Sequence, residues 1–150
     1  MEFEDQVAID TDKEHLWSLV SDPEVLVECV PGATEVERVS EREYHGVIER
    51  GVAGVSLTLD GEVEMTEFDE PDRLSADARG EDRRSNSRME ATMHMDLLEA
   101  DDDGDGTTIS YFIDLRFTGR LASLGARIVK RKFDSDIDTF FENIKERAEE

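Results

Sequence analysis

The sequence predicts an α+β fold: a seven-stranded antiparallel sheet with one apolar face, wrapped around a long C-terminal helix, with two short helices between strands 1 and 2. Three observations carry this. Apolar residues recur at every second position from Ala33 to Phe117, interrupted by short polar clusters. Helix-start signals stand together between Thr11 and Pro23. Over roughly the last 30 residues the apolar period changes to three to four. A sheet with a single apolar face has to cover it, and the long helix is the only element large enough.

Each element has its own signal. Glu2 to Asp10 alternates, with Phe3, Val7 and Ile9 on one side, and reads as a strand. Thr11-Asp12-Lys13-Glu14 matches a capping box with Thr11 as cap, opening a short helix that carries Leu16, Trp17 and Val20. Asp22-Pro23 starts a second helix, cap followed by proline at the first helical position, and that helix ends at Pro31-Gly32. Turn clusters at Ser40 to Arg42, Asp69 to Asp72, Gly80 to Arg84 and Ala100 to Gly106 divide the following strands. Val55, Leu57, Leu59, Val63 and Met65 keep one parity, as do Met89 to Leu97 and Ile109 to Phe117, so one face is dry and the other wet. No internal repeat, linker or second domain is visible, and residues 1–150 form one domain.

Composition limits the function classes. Thirty-nine Asp plus Glu against 17 Lys plus Arg give a net charge of -22, which repels phosphate backbones and argues against nucleic acid as a partner. The acids are spread along the chain, as expected of a solvated shell suited to high salt. Cys29 is the single cysteine, which fits a reducing cytoplasmic compartment and a small buried hydrophobe better than a nucleophile. No signal-peptide core or spanning apolar run is present.

Against that background Leu115 to Phe133 is free of acids and carries six basic residues. Treated as one helix at 100° per residue, Ala122, Ala126, Val129, Phe133, Ile137, Phe140 and Ile144 form one stripe facing the sheet. Its first half is small and its second half bulky, so a pocket is expected under Ala122 to Val129, unless the sheet lies closer there. Leu121, Leu124 and Ile128 form a second stripe flanked by Arg120, Arg127 and Arg131. Two readings stand: a contact surface for anionic lipid or an acidic partner, or packing against the Val25 to Cys29 helix.

Catalytic chemistry finds little support. His15, His45 and His94 are far apart, with His45 and His94 on the wet parity, and no metal-ligand spacing or phosphate-binding glycine loop occurs. Gly104-Asp105-Gly106 reads as a hairpin turn rather than a calcium loop. No cofactor is expected. In-facing Tyr44 and Tyr111 suit ligand orientation by hydrogen bond. Met89, Met93 and Met95 suit either a core or an adaptable apolar pocket.

The element order is that of a helix-grip domain and resembles the START-like superfamily. Met1-Glu2-Phe3, Leu16-Trp17, Asp22-Pro23-Glu24-Val25-Leu26, Cys29-Val30-Pro31-Gly32, Glu37-Arg38-Val39 and Phe140-Phe141-Glu142-Asn143 resemble the carbon monoxide dehydrogenase G-subunit family across nearly the whole chain. The resemblance implies an accessory role beside a molybdenum hydroxylase of the CO dehydrogenase type, tethering it to the membrane and handling an apolar quinone. Some members carry an apolar C-terminal anchor. This chain ends at Glu150 in polar residues, so tethering is expected to use another surface. The residues expected to line a pocket for a quinone-like or lipid-like molecule are Trp17, Leu26, Leu57, Leu59, Met89, Met93, Met95, Tyr111, Ile113, Leu115, Ala122, Ala126 and Val129. Those expected at a membrane or partner contact are Arg120, Leu121, Leu124, Arg127, Ile128 and Arg131. The expected location is cytoplasmic, peripheral at the inner face of the membrane. The alternative is a polyketide cyclase- or hydrolase-like enzyme of the same superfamily, which needs a buried acid or base in the pocket.

Overall fold

The computed structural model describes residues 1–99 and 106–149. Its elements run β1 (Glu2–Ile9), α1 (Lys13–Val20), α2 (Pro23–Cys29), β2 (Ala33–Arg38), β3 (Glu43–Val52), β4 (Val55–Asp69), β5 (Arg73–Asp82), β6 (Ser87–Glu99), β7 (Thr107–Gly119), α3 (Arg120–Ser123) and α4 (Ala126–Ala148). The seven strands form one antiparallel sheet in the order β1-β7-β6-β5-β4-β3-β2. From β2 to β7, neighbours in the sheet are neighbours in sequence. The α1–α2 excursion carries the chain from β1 at one edge to β2 at the other. The helices lie on the dry face, where α4 packs against β1, β3, α1 and α2.

Local chemistry fixes the helix starts. Asp12, not Thr11, caps α1, because its Oδ1 accepts the His15 amide at 2.7 Å. The expected cap is thus displaced by one residue, and Thr11 instead offers its carbonyl to the Thr107 hydroxyl. Asp22 caps α2 through the Glu24 amide, and Pro23 occupies the first turn, as the sequence indicates. Past the C-terminus of α2, the Gly32 carbonyl accepts the Glu49 amide at 2.8 Å and ties the Pro31-Gly32 turn to β3.

Two boundaries differ from expectation. The expected turn at Gly80 to Arg84 comes later, because β5 continues to Asp82 and its carboxylate organises the turn by accepting the amides of Thr58 and Arg84. The C-terminal helix is also broken. Gly125, at φ 95° and ψ 140°, lies outside helical space and separates α3 from α4. The turn at Ala100 to Gly106, and with it the Gly104-Asp105-Gly106 hairpin, falls outside the described residues except for Gly106.

The helix break overturns a helical phase carried through it. Ala122 and Ala126 are exposed and roof nothing, whereas Leu121 is fully buried. The chain turns at Gly125, so positions before it cannot be projected onto α4 at 100° per residue. Below the break the sheet-facing side of α4 runs through Val129, Phe133, Ile137, Phe141, Ile144 and Ala148. The Phe141 ring stacks on Tyr111 at 4.4 Å.

Candidate functional site

The apolar interior is divided into two clusters. The larger holds Phe3, Trp17, Met65, Leu74, Leu97, Tyr111, Phe141 and Ile144, among others. The smaller holds Val52, Leu57, Leu59, Leu121 and Val129. Strand register explains the division. Gly46, Gly61 and Gly80 are direct partners across β3, β4 and β5 on the dry face, so one rung of the sheet has no side chains over three strands. The next rung is Tyr44, Val63, Ala78, Ala91 and Leu115. A Cβ on Gly61 would stand 2.5 Å from the Arg79 carbonyl oxygen, so the backbones approach too closely there for any larger residue.

The helix is underfilled at the same level. Val129 enters the smaller cluster, and Phe141, Ile144 and Ala148 enter the larger. Phe133, Ile137 and Phe140 lie between them and stay half-buried, as do Tyr44, Val63, Ala78 and Ala91 below. The helix thus carries large half-buried apolar groups here, while the dry face of the sheet carries glycine and alanine. The middle of the dry face is therefore the candidate apolar site, about two helical turns beyond the region expected from the sequence. Of the expected lining residues, Met89 and Leu115 lie at this level, and Ile113 stands one rung further, paired with Met93. Met93 and Met95 continue from it along β6. Leu57, Leu59 and Val129 belong to the smaller cluster, Trp17 and Tyr111 are buried in the larger, and Leu26 is half-buried on α2.

Polar contacts tie α4 to β3 and to α2. Arg50 on β3 donates through Nε to Asp136 Oδ2 on α4 at 3.1 Å and through Nη2 to Oδ1, and Lys132 Nζ lies 3.5 Å from the same carboxylate. Asn143 Nδ2 donates to the Cys29 carbonyl at 3.0 Å, and Arg147 pairs with Glu28, so α2 is fastened to α4 by a side-chain cap and an ion pair. The sequence reading singles out neither Arg50 nor Asp136. Strand parity does carry a signal for Arg50, which lies four residues beyond Gly46 and therefore on the dry face.

The titratable groups offer little chemistry. Burial pushes the Cys29 thiol up, against a smaller opposing effect of Arg147. Burial likewise raises Tyr111, helped by Asp5, Asp138 and Asp134, so this phenol stays protonated at neutral pH. His94 and Ser75 meet on the wet face at 2.7 Å, and the Ser75 hydroxyl donates to Glu67 at 3.1 Å. The serine sits between base and acid, so no carboxylate orients the imidazole as a general base would need. A separate polar hollow of about 780 Å³ also lies on the wet face, among Glu37, His45, Glu62, Arg79, Glu90 and Arg116. These six form one rung in strand register.

The expected contact stripe is split as well. Leu121 is in the core and Leu124 is half-buried against the smaller cluster, which removes Leu121 from any external surface. Ile128 remains 46% exposed, with exposed Arg127 and Arg131 close to it on α4, while exposed Arg120 lies on α3 across the break at Gly125. Among the described residues no helix is long and apolar enough to cross a membrane.

An open sheet gripping one long helix, with two short helices between its first strands, defines a START-like domain. Solved structures agree. A conserved protein from Geobacillus kaustophilus superposes with a TM-score of 0.90 at 23% identity, over 99% of this chain and 95% of that one. A START superfamily protein from Mycobacterium smegmatis gives 0.71 at 12% identity, over 99% and 97%. The di-domain ARO/CYC BexL from the BE-7585A biosynthetic pathway gives 0.58 at 16% identity, over 100% of this chain but 50% of that one. The chain belongs to the CoxG family, the G-subunit family of carbon monoxide dehydrogenase, whose model matches residues 6–149. No curated protein matches it in sequence. Membership supports an accessory or ligand-binding role at the level of the family.

Proposed function

We propose that this protein is an accessory binding module whose groove between the glycine rung and the middle of α4 takes an apolar small molecule, quinone-like or lipid-like. The observation that supports this is the coincidence of two underfilled surfaces. Phe133, Ile137 and Phe140 on α4 stay half-buried, as do Gly46, Gly61, Gly80, Ala78 and Ala91 on the dry face, and half-wet apolar area of this kind is stabilised by an apolar ligand. Met89 and Met93 on the neighbouring strand adapt to varied shapes. Family membership supports a cytoplasmic partner of the CO dehydrogenase type and a peripheral place at the inner face of the membrane. Ile128 with Arg120, Arg127 and Arg131 is the surface for that contact.

The test is uptake of an apolar fluorophore. Ala91→Phe fills the groove and should abolish uptake, whereas Ala126→Phe, at an exposed site at the start of α4, should leave it intact. The opposite ranking would contradict the assignment. Sedimentation of the parent with anionic liposomes, weakened by Ile128→Ser, tests the membrane contact separately.

A further inference from the structure

Arg50, Lys132 and Asp136 form a charged cluster between sheet and helix, beside the half-buried Phe133 and Ile137 of α4. Two cations meet one carboxylate, so the cluster keeps one net positive charge in a chain whose total is -22. Its members are only partly wetted: side-chain exposure is 25% for Arg50, 16% for Asp136 and 30% for Lys132. A half-buried charge is screened less than a surface one and acts more strongly on a bound head group. Donors are also in surplus. Arg50 has five N–H bonds and Lys132 three. Two from the arginine go to Asp136, and no other protein acceptor meets either residue among the described residues.

We propose that this cluster is the head-group subsite of the groove and selects an amphiphile whose head carries one negative charge, as a carboxylate or a phosphate ester. This rests on the groove reading above and narrows its ligand to the lipid-like alternative, since a quinone head carries no charge. The apolar tail lies along the glycine rung under Phe133, Ile137 and Phe140. The head takes the free donors of Arg50 and Lys132 while Asp136 keeps Arg50 in place. A neutral alcohol head forms weaker hydrogen bonds with the same donors, and a cationic head is repelled.

The experiment is isothermal titration with four probes sharing a twelve-carbon chain: laurate, dodecyl phosphate, dodecanol and dodecyltrimethylammonium, each below its self-association concentration. Laurate, dodecyl phosphate or both should bind about tenfold or more tightly than dodecanol, the scale of one charge-assisted hydrogen bond, with the ammonium probe weakest. Whichever anion binds more tightly identifies the head chemistry. Lys132→Gln leaves the Arg50–Asp136 pair intact and should bring anion affinity down toward that of dodecanol. Asp136→Asn raises the local positive charge while its amide oxygen can still accept from Arg50 and hold it in place, so anion binding should strengthen. Dodecanol should be indifferent to both substitutions, an opposite-sign pattern that a purely structural cluster would not give. Equal affinity for all four probes, or substitutions that move all probes together, would overturn the subsite while leaving the groove standing. Failure of all four probes to bind would overturn both.

Discussion

Replacing Leu121 tests whether the interior is divided into two clusters. As part of an exposed stripe it would tolerate a polar replacement, but its side chain is fully buried among Val52, Leu57, Leu59 and Val129. Its amide also donates to Ser87 Oγ at 3.1 Å, and that serine accepts from Ser85 Oγ at 2.8 Å. The backbone is therefore pinned and cannot sink to fill a void. Leu121→Ala forfeits the transfer energy of the lost methyl groups and leaves a cavity, together about 2–5 kcal/mol, with the pinned backbone favouring the upper half of that range. Urea slopes for small domains are about 1–3 kcal/mol/M, so the unfolding midpoint should drop by about 1 M or more. Ile128→Ser, at the exposed end of the same expected stripe, should stay within about 0.5 kcal/mol. Equilibrium urea unfolding of the three proteins by circular dichroism makes the comparison. A Leu121→Ala midpoint no lower than that of Ile128→Ser would refute the two-cluster interior.

Gly61→Ala should destabilise clearly, because its Cβ meets the Arg79 carbonyl at 2.5 Å, while Gly54→Ala meets nothing within 4 Å and carries only the strain of its positive φ; thermal melts rank the two. Burial alone would raise Asp82, but amide and hydroxyl donors from Thr58, Arg84 and Ser85 outweigh it and hold this carboxyl below the usual range. Its contribution should then be complete above the unfolded value of about 3.9 and vanish as pH falls through the lower folded value. The stability gap between the parent and Asp82→Asn should accordingly close in acid, and a gap independent of pH would deny the role. The acid surplus predicts a melting temperature that rises with salt, since the repulsion reaches ~30 Å at 0.01 M and ~3 Å at 1 M. A salt-indifferent melt would remove the high-salt reading.

The sheet is legible in the sequence because period-two alternation is a direct consequence of strand geometry. The Val55 to Met65, Met89 to Leu97 and Ile109 to Phe117 runs all take the dry face as their parity indicates. The proposed groove lies elsewhere than expected for an equally physical reason. A single glycine at positive φ resets helical phase, so Ala122 and Ala126 project inward on one unbroken helix but reach solvent once the chain breaks at Gly125. Gly46, Gly61 and Gly80 are far apart in sequence, and their shared rung exists only once register is known. Arg50 and Asp136 are hidden likewise, since a strand arginine and a helical aspartate 86 residues apart become a pair only in three dimensions. Asn143 lies in a stretch that resembles the family's, and only the structure shows that it caps the Cys29 carbonyl.

The proposed apolar ligand lies against the glycine rung. Methyl NMR during titration with a short-chain quinone or a twelve-carbon amphiphile tests that directly. Shifts are predicted at Val63, Ala78, Ala91 and Ile137, on both walls of the groove, with Ile128 and Ala126 unmoved. Shifts confined to Ile128, Ala122 and Ala126, or none on Val63 and Ala91 at saturating ligand, would contradict it.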